Sequence, residues 1–168
     1  MALPINISDF SSDSLNLKEM MDGVLEKVCN TFQSYNVTLP SRQYWTMGQP
    51  ALDCEQLVVA FTQMYLGTPG DQATDPQRCH VPRTAVLNVI LTRQIPTIGQ
   101  SGKAPSASKI EESSYISAVD AWVMMESINQ LDQWDETGFG LGVIATLDMI
   151  GPEGGYTSTN LQLTIAVP

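Results

Sequence analysis

Apolar positions recur along this chain with two periods, and the changes from one to the other mark its elements. From Asp13 or Ser14, either of which can cap a helix, Leu17, Met20 or Met21, Val24, Val28 and Phe32 follow at helical spacing to about Ser34. Asn36 to Pro40 breaks the pattern, and Tyr44 to Met47 reads as a short first strand. Leu57 to Tyr65 and Ala85 to Leu91 are apolar on both faces and bounded by Gly or Pro, as strands buried on both sides are. They are expected to pair antiparallel. The link from Gly67 to Pro82 is too long and polar for a tight hairpin, and such loops are commonly functional or disordered, so it is expected to touch a partner.

A second loop, Pro96 to Ser108, is rich in Gly, Ser, Pro and Ala and reads as a flexible surface arm. A second helix is expected from about Ser108 to Leu131, opened by Ser106 or Ser108, with Glu111 and Glu112 in its first turn, where carboxylates complement the helix dipole. Ile116, Val119, Trp122 or Val123, and Glu126 with Ile128 trace the stripe expected to pack on a sheet. Two alternating strands close the chain. Leu141, Val143, Ala145, Leu147 and Met149 lead the first, and Leu161, Leu163, Ile165 and Val167 the second, joined by a turn at Gly151 to Gly155. This hairpin is read with one core face and one neutral polar face. Helix, strands, helix, strands around one mainly antiparallel sheet predicts a single α+β domain over residues 1–168, with 1–12 as a flexible or partner-bound arm.

Charge changes the picture more than length does. The formal net charge is -10 with eight Lys and Arg in all, which disfavours binding to nucleic acid, whose affinity comes largely from neutralised phosphates. Charged residues make up 15% of the chain, against about 25% in ordinary globular domains. The deficit is uneven. From Thr137 to Pro168 only Asp148 and Glu153 are charged, and from Val81 to Ser108 only Arg83, Arg93 and Lys103. Exposed sheet edges usually carry Lys or Glu against unwanted pairing, so these segments are expected to be covered by copies of the protein or by neighbours. No stretch approaches the roughly 18 apolar residues of a membrane span and the start lacks a basic region before an apolar run, so a soluble, cytoplasmic product is expected. Three cysteines at unpatterned spacing, Cys29, Cys54 and Cys79, argue for reduced thiols and against a disulfide framework.

Candidate chemistry is sparse. Cys79-His80 offers a thiol beside a base, but neighbours on an extended chain point to opposite sides, and Cys54 with His80 has no orienting motif. Asp71, Thr74 and Asp75 carry oxygens suited to a cation without the DxDxDG pattern, which favours a solvated turn. Asp132, Asp135 and Glu136 crowd the end of the second helix, either as a solvated acidic turn anchored by Trp134 or as a patch facing a partner or a lumen. No catalytic residue, cofactor or metal is expected.

Four pieces of this series together resemble the tail terminator proteins of long-tailed, non-contractile phages of mycobacteria and related actinobacteria. They are the Tyr44-Trp45 to Gly48 entry, Asp53-Cys54-Glu55-Gln56-Leu57, the Pro76-Gln77-Arg78-Cys79 loop, and Gly154-Gly155-Tyr156 followed by an alternating strand to Ala166-Val167-Pro168. In order and spacing the likeness runs from about Pro40 to Pro168. It implies a non-enzymatic ring, commonly a hexamer, located at the tail-neck junction of the virion. That ring sits on the tail tube, halts its polymerisation and offers a surface to the head-tail connector. DNA would pass through its hole without specific binding, and no membrane is involved. On this reading the interface candidates are Tyr44 and Trp45; Thr68, Asp71, Asp75 and Arg78 in the long loop; Arg83 and Lys103; and Asn160, Gln162 and Thr164 on the neutral face of the last strand. The rivals are another neck protein or a tail tube subunit and, in a different class, a hydrolase built on Cys54 or Cys79 with His80.

Overall fold

The computed structural model describes residues 17–72, 83–98, 102–129 and 143–167. The helix expected at the start is α1, Leu17–Ser34, and its apolar stripe is the buried one: Met20, Met21, Val24, Val28 and Phe32 are all buried, with Thr31 between them. Its proposed caps, Asp13 and Ser14, and the arm at 1–12 lie outside the described residues. Asn36 takes a left-handed backbone conformation just past the helix end, a place where Asn or Gly ends a helix at little cost.

The strands are β1 (Gln43–Met47), β2 (Gln56–Thr68), β3 (Asp71–Gln72), β4 (Arg83–Gln94), β5 (Val143–Glu153) and β6 (Tyr156–Val167), with α2 (Ala107–Asn129) between β4 and β5. Five of them form one sheet in the order β1-β2-β4-β6-β5, with β3 attached to the end of β2. β1 is parallel to β2; every later pair on the path is antiparallel, including β2 with β4 as expected. The fold is α+β.

Both helices pack on one face of the sheet. There Leu57 and Val59 of β2, Leu87, Val89 and Leu91 of β4, and Leu161, Leu163 and Ile165 of β6 meet α1 and the Val123-Met124 pair of α2 in one buried cluster. Each such side chain contributes about 1.5–3 kcal/mol through burial. The central strands are apolar on their other face too, where Val58, Ala60, Val86 and Ile90 are buried. Buried hydroxyls on that face are bonded: Thr92 pairs with Ser158 at 2.9 Å, and Thr84 donates to the Gly67 carbonyl. The final hairpin turns at Gly154 and Gly155, both with positive φ, which a two-residue loop of this hand requires and Gly supplies without strain.

Two expectations need correction. Part of the link after β2 is not loop: β2 runs on to Thr68, turns at Pro69-Gly70, and β3 pairs back on it, with Gly67 opposite Gln72 and Thr68 opposite Asp71. Tyr65 pins this turn, its hydroxyl accepting from the Gly70 N–H at 3.1 Å. The stripe on α2 is only partly the expected one: Val119, Val123 and Ile128 do pack on the core, but not Ile116 or Trp122. Its buried residues are Ser117, Asp120, Val123, Met124 and Ser127, whereas Ile116 and Trp122 are exposed. The polar members of this face are each satisfied: Ser117 and Ser127 donate to carbonyls of the preceding turn, and Asp120 meets Arg93 of β4.

Candidate assembly interface

The features with most capacity for contact are the two sides of the sheet. β1 and β5 are its outermost strands, so each presents a row of backbone N–H and C=O groups to which no described strand pairs. Gln43 to Met47 carries no charge, and Val143 to Ile150 carries only Asp148. Bonds from the Leu57 N–H to the Arg42 carbonyl (2.9 Å) and from the Gly48 N–H to the Phe61 carbonyl (2.8 Å) hold both ends of β1 against β2. Further anchoring comes from side chains. The Tyr44 hydroxyl donates to Gln56 Oε1 at 3.0 Å, Arg42 lies 5.1 Å over the Tyr44 ring, and the Cys29 thiol donates to Gln43 Oε1 at 3.2 Å. Burial, aided by Glu26, pushes the Cys29 thiol above the usual thiol range.

Along the other side, an apolar groove of about 560 Å³ opens between α2 and the final hairpin, with Ile110, Ala118 and Ala121 on its helix wall and Leu147, Met149 and Pro152 on its strand wall. α2 is apolar beyond this wall as well. Tyr115, Trp122 and Met125 project from its outward face together with Ala118, a spacing of three and four residues that keeps them on one stripe. Trp122 is 53% exposed and leans edge-on against Tyr35 at 4.8 Å between ring centroids.

The structure disperses the interface candidates over one edge, one end and one face of the sheet and the segment before α2. Tyr44 and Trp45 lie on β1, but Trp45 packs against the core cluster and Tyr44 is engaged with Gln56. Thr68, Asp71 and Arg83 are exposed and close together, since Thr68 pairs with Asp71 and the neighbouring Leu66 with Arg83. Lys103 is exposed in the irregular segment before α2. On the face away from the helices Gln162 is exposed, with Asn160 and Thr164 half-buried. Two buried carbonyl oxygens on that face, Asn88 Oδ1 and Asn160 Oδ1, have no hydrogen-bond partner among the described residues. Asp75, Arg78, Cys79, His80, Asp132, Asp135 and Glu136 lie outside the described residues.

Cys54 Sγ accepts from Arg42 Nη1 at 2.9 Å, and Asp53 lies 3.8 Å from the same guanidinium, so this thiol caps a strand entry. Among the described residues no group of three or more His, Cys, Asp or Glu is placed to hold a metal ion, and no helix is long and apolar enough to cross a membrane. Sequence reading missed the groove, which is assembled from three segments far apart in the chain, and the outward stripe on α2, which was visible as Tyr115, Trp122 and Met125 but was assigned in part to the core. No protein-family model matches the chain, and no curated protein matches it.

Proposed function

We propose that this protein is a non-enzymatic virion component, a subunit of a homo-oligomeric ring that caps the tail tube of a long-tailed phage, ends its polymerisation and provides the surface that joins tail to head. The observation that carries the reading is the pair of charge-poor sheet sides, to which no described strand pairs, flanked by exposed apolar surface. A protein that worked alone would be expected to shield such edges with Lys, Pro or a covering element. The residue series that resembles tail terminators is what supports this choice of assembly. Its mechanism is geometric: one face of the ring matches the last ring of tube subunits and covers the surface on which the next would add, and the other faces the connector. A contact between unlike surfaces of identical subunits closes into a ring when its rotation closes. The acidic composition suits a conduit that DNA slides through, because it offers phosphates nothing to hold.

Light scattering coupled to size exclusion, with images by electron microscopy, tests the ring. The expected result is a single closed oligomer with a central hole, with six subunits as the resemblance implies. A monomer at every concentration overturns it. Open filaments would favour a tube subunit instead.

A further inference from the structure

We infer that the outer edge of β5 receives the β1 edge of a second copy, antiparallel and level with it, so that the sheets of successive subunits run into one another. The inference rests on the ring reading and names the contact that closes the ring. The strand registers put both edges at one height: Gln43 is level with Leu57, Leu91, Thr159 and Met149, and Met47 with Phe61, Leu87, Leu163 and Ala145. Direction agrees as well. Because β1 is parallel to β2 and the three following pairs are antiparallel, β1 and β5 of one copy point in opposite directions. A neighbour that continues the same path therefore pairs antiparallel, with Gln43 opposite Met149 and Met47 opposite Ala145.

The side chains match by face. Met47 shares the helix-side face of β1 with Trp45, which packs into the core, yet Met47 itself is 58% exposed. On the same face of β5, Leu147 and Met149 form the strand wall of the apolar groove. A β1 strand laid along β5 brings Met47 diagonally beside Leu147, or directly opposite it if the register staggers by two residues, a shift that preserves faces and that closing a sheet into a ring commonly requires. A flexible thioether suits an irregular apolar space. Knob and groove lie on opposite sides of one chain and agree in height, direction and face. A second copy presents both, and repeating one such contact by rotation builds a ring.

A disulfide trap in the full chain tests this contact. Thr46 and Thr146 are level, each paired through the same row to Ala60, Asn88 and Gln162, but four strand spacings apart in one copy, about 19 Å. That exceeds the roughly 4.4–6.8 Å between Cα atoms that a disulfide spans, so a bond between Thr46→Cys and Thr146→Cys joins two copies. Pairing Thr46→Cys with Ile144→Cys or Asp148→Cys reads a two-residue stagger, and the single-cysteine variants control for the native thiols. In one of the three pairs, oxidation is expected to give a covalent ladder on non-reducing denaturing gels that ends at the subunit number of the ring, while the single variants give none. Met47→Lys should abolish the oligomer with the circular dichroism of the fold unchanged. Rings without a ladder from any pair, or rings that survive Met47→Lys, overturn the contact and leave the ring reading standing. A monomer at all concentrations overturns both. Hydrogen-exchange protection of the outward β5 amides in a monomeric sample would assign that edge to a segment of the same chain, and would also overturn the contact.

Discussion

Replacing Arg93 by Met removes the cation paired with the buried carboxylate of Asp120, and the cost can be worked from the geometry. Arg93 sits near the end of β4 with its side chain 16% exposed; Asp120, on the buried face of α2, is 1% exposed. The guanidinium donates to both carboxylate oxygens, Nε to Oδ2 and Nη2 to Oδ1, each at 2.9 Å, and Nη2 also donates to the Thr38 carbonyl at 2.7 Å. One side chain thus ties the sheet to α2 and to the segment after α1. Met fills similar volume but leaves Asp120 without either bond in a site closed to water. Breaking a buried pair by removing one partner costs about 3–5 kcal/mol, and two hydrogen bonds to a charged group at about 1.5–3 kcal/mol each lead to the same range. For a chain of this size that corresponds to a fall in Tm of about 6–20 °C. The assay is urea unfolding followed by circular dichroism, with the slope checked for change. The double variant Arg93→Met with Asp120→Leu should recover most of the loss, because no charge is then left buried. A single-variant cost below about 1 kcal/mol, or a double variant worse than the sum of the singles, would refute the reasoning.

Two further outcomes follow from the same coordinates. Gly23 lies in the middle of α1 with open space where a Cβ would be placed, so Gly23→Ala should stabilise the protein by about 0.5–1 kcal/mol in the same unfolding assay; a loss would mean that this face of α1 is covered. Cys29, half-buried and with its thiol pushed up by burial, should alkylate more slowly than a free cysteine at pH 8 and gain rate only above the usual thiol range, as read by mass spectrometry. The same shift means that its neutral form favours the fold at lower pH, a contribution lost as pH rises through the raised value.

How much of this could be read from the chain depended on how cleanly each element divides apolar from polar. α1 does so: Met20, Val24, Val28 and Phe32 stand against Lys18, Asp22 and Glu26, and the stripe was read in the correct phase. β2 and β4 carry buried apolar residues on both faces, and their pairing followed from length and bounding residues. α2 was legible only at Val119, Val123 and Ile128, because Ile116 and Trp122 are as apolar as Val123 and Met124, while the face that packs inward carries Ser117, Asp120 and Ser127. The burial of Asp120 depends on Arg93, 27 residues away in sequence, and no local pattern signals it. β3 was missed because its two residues carry no period. The edges of the sheet were legible as charge-poor segments, but which strands are outermost is a property of topology: β1 and β5, far apart in sequence, become edges only once β4 and β6 occupy the middle.

The central claim is that this chain ends tail growth by covering the tube, and tail length in its absence tests it most directly. When the protein is removed from an otherwise complete assembly, electron micrographs are predicted to show tails of irregular, excessive length that fail to join heads, since tube subunits keep adding to an uncovered end. Tails of normal length that attach to heads without it would contradict the account, and a different neck protein or a tube subunit would then be the better assignment.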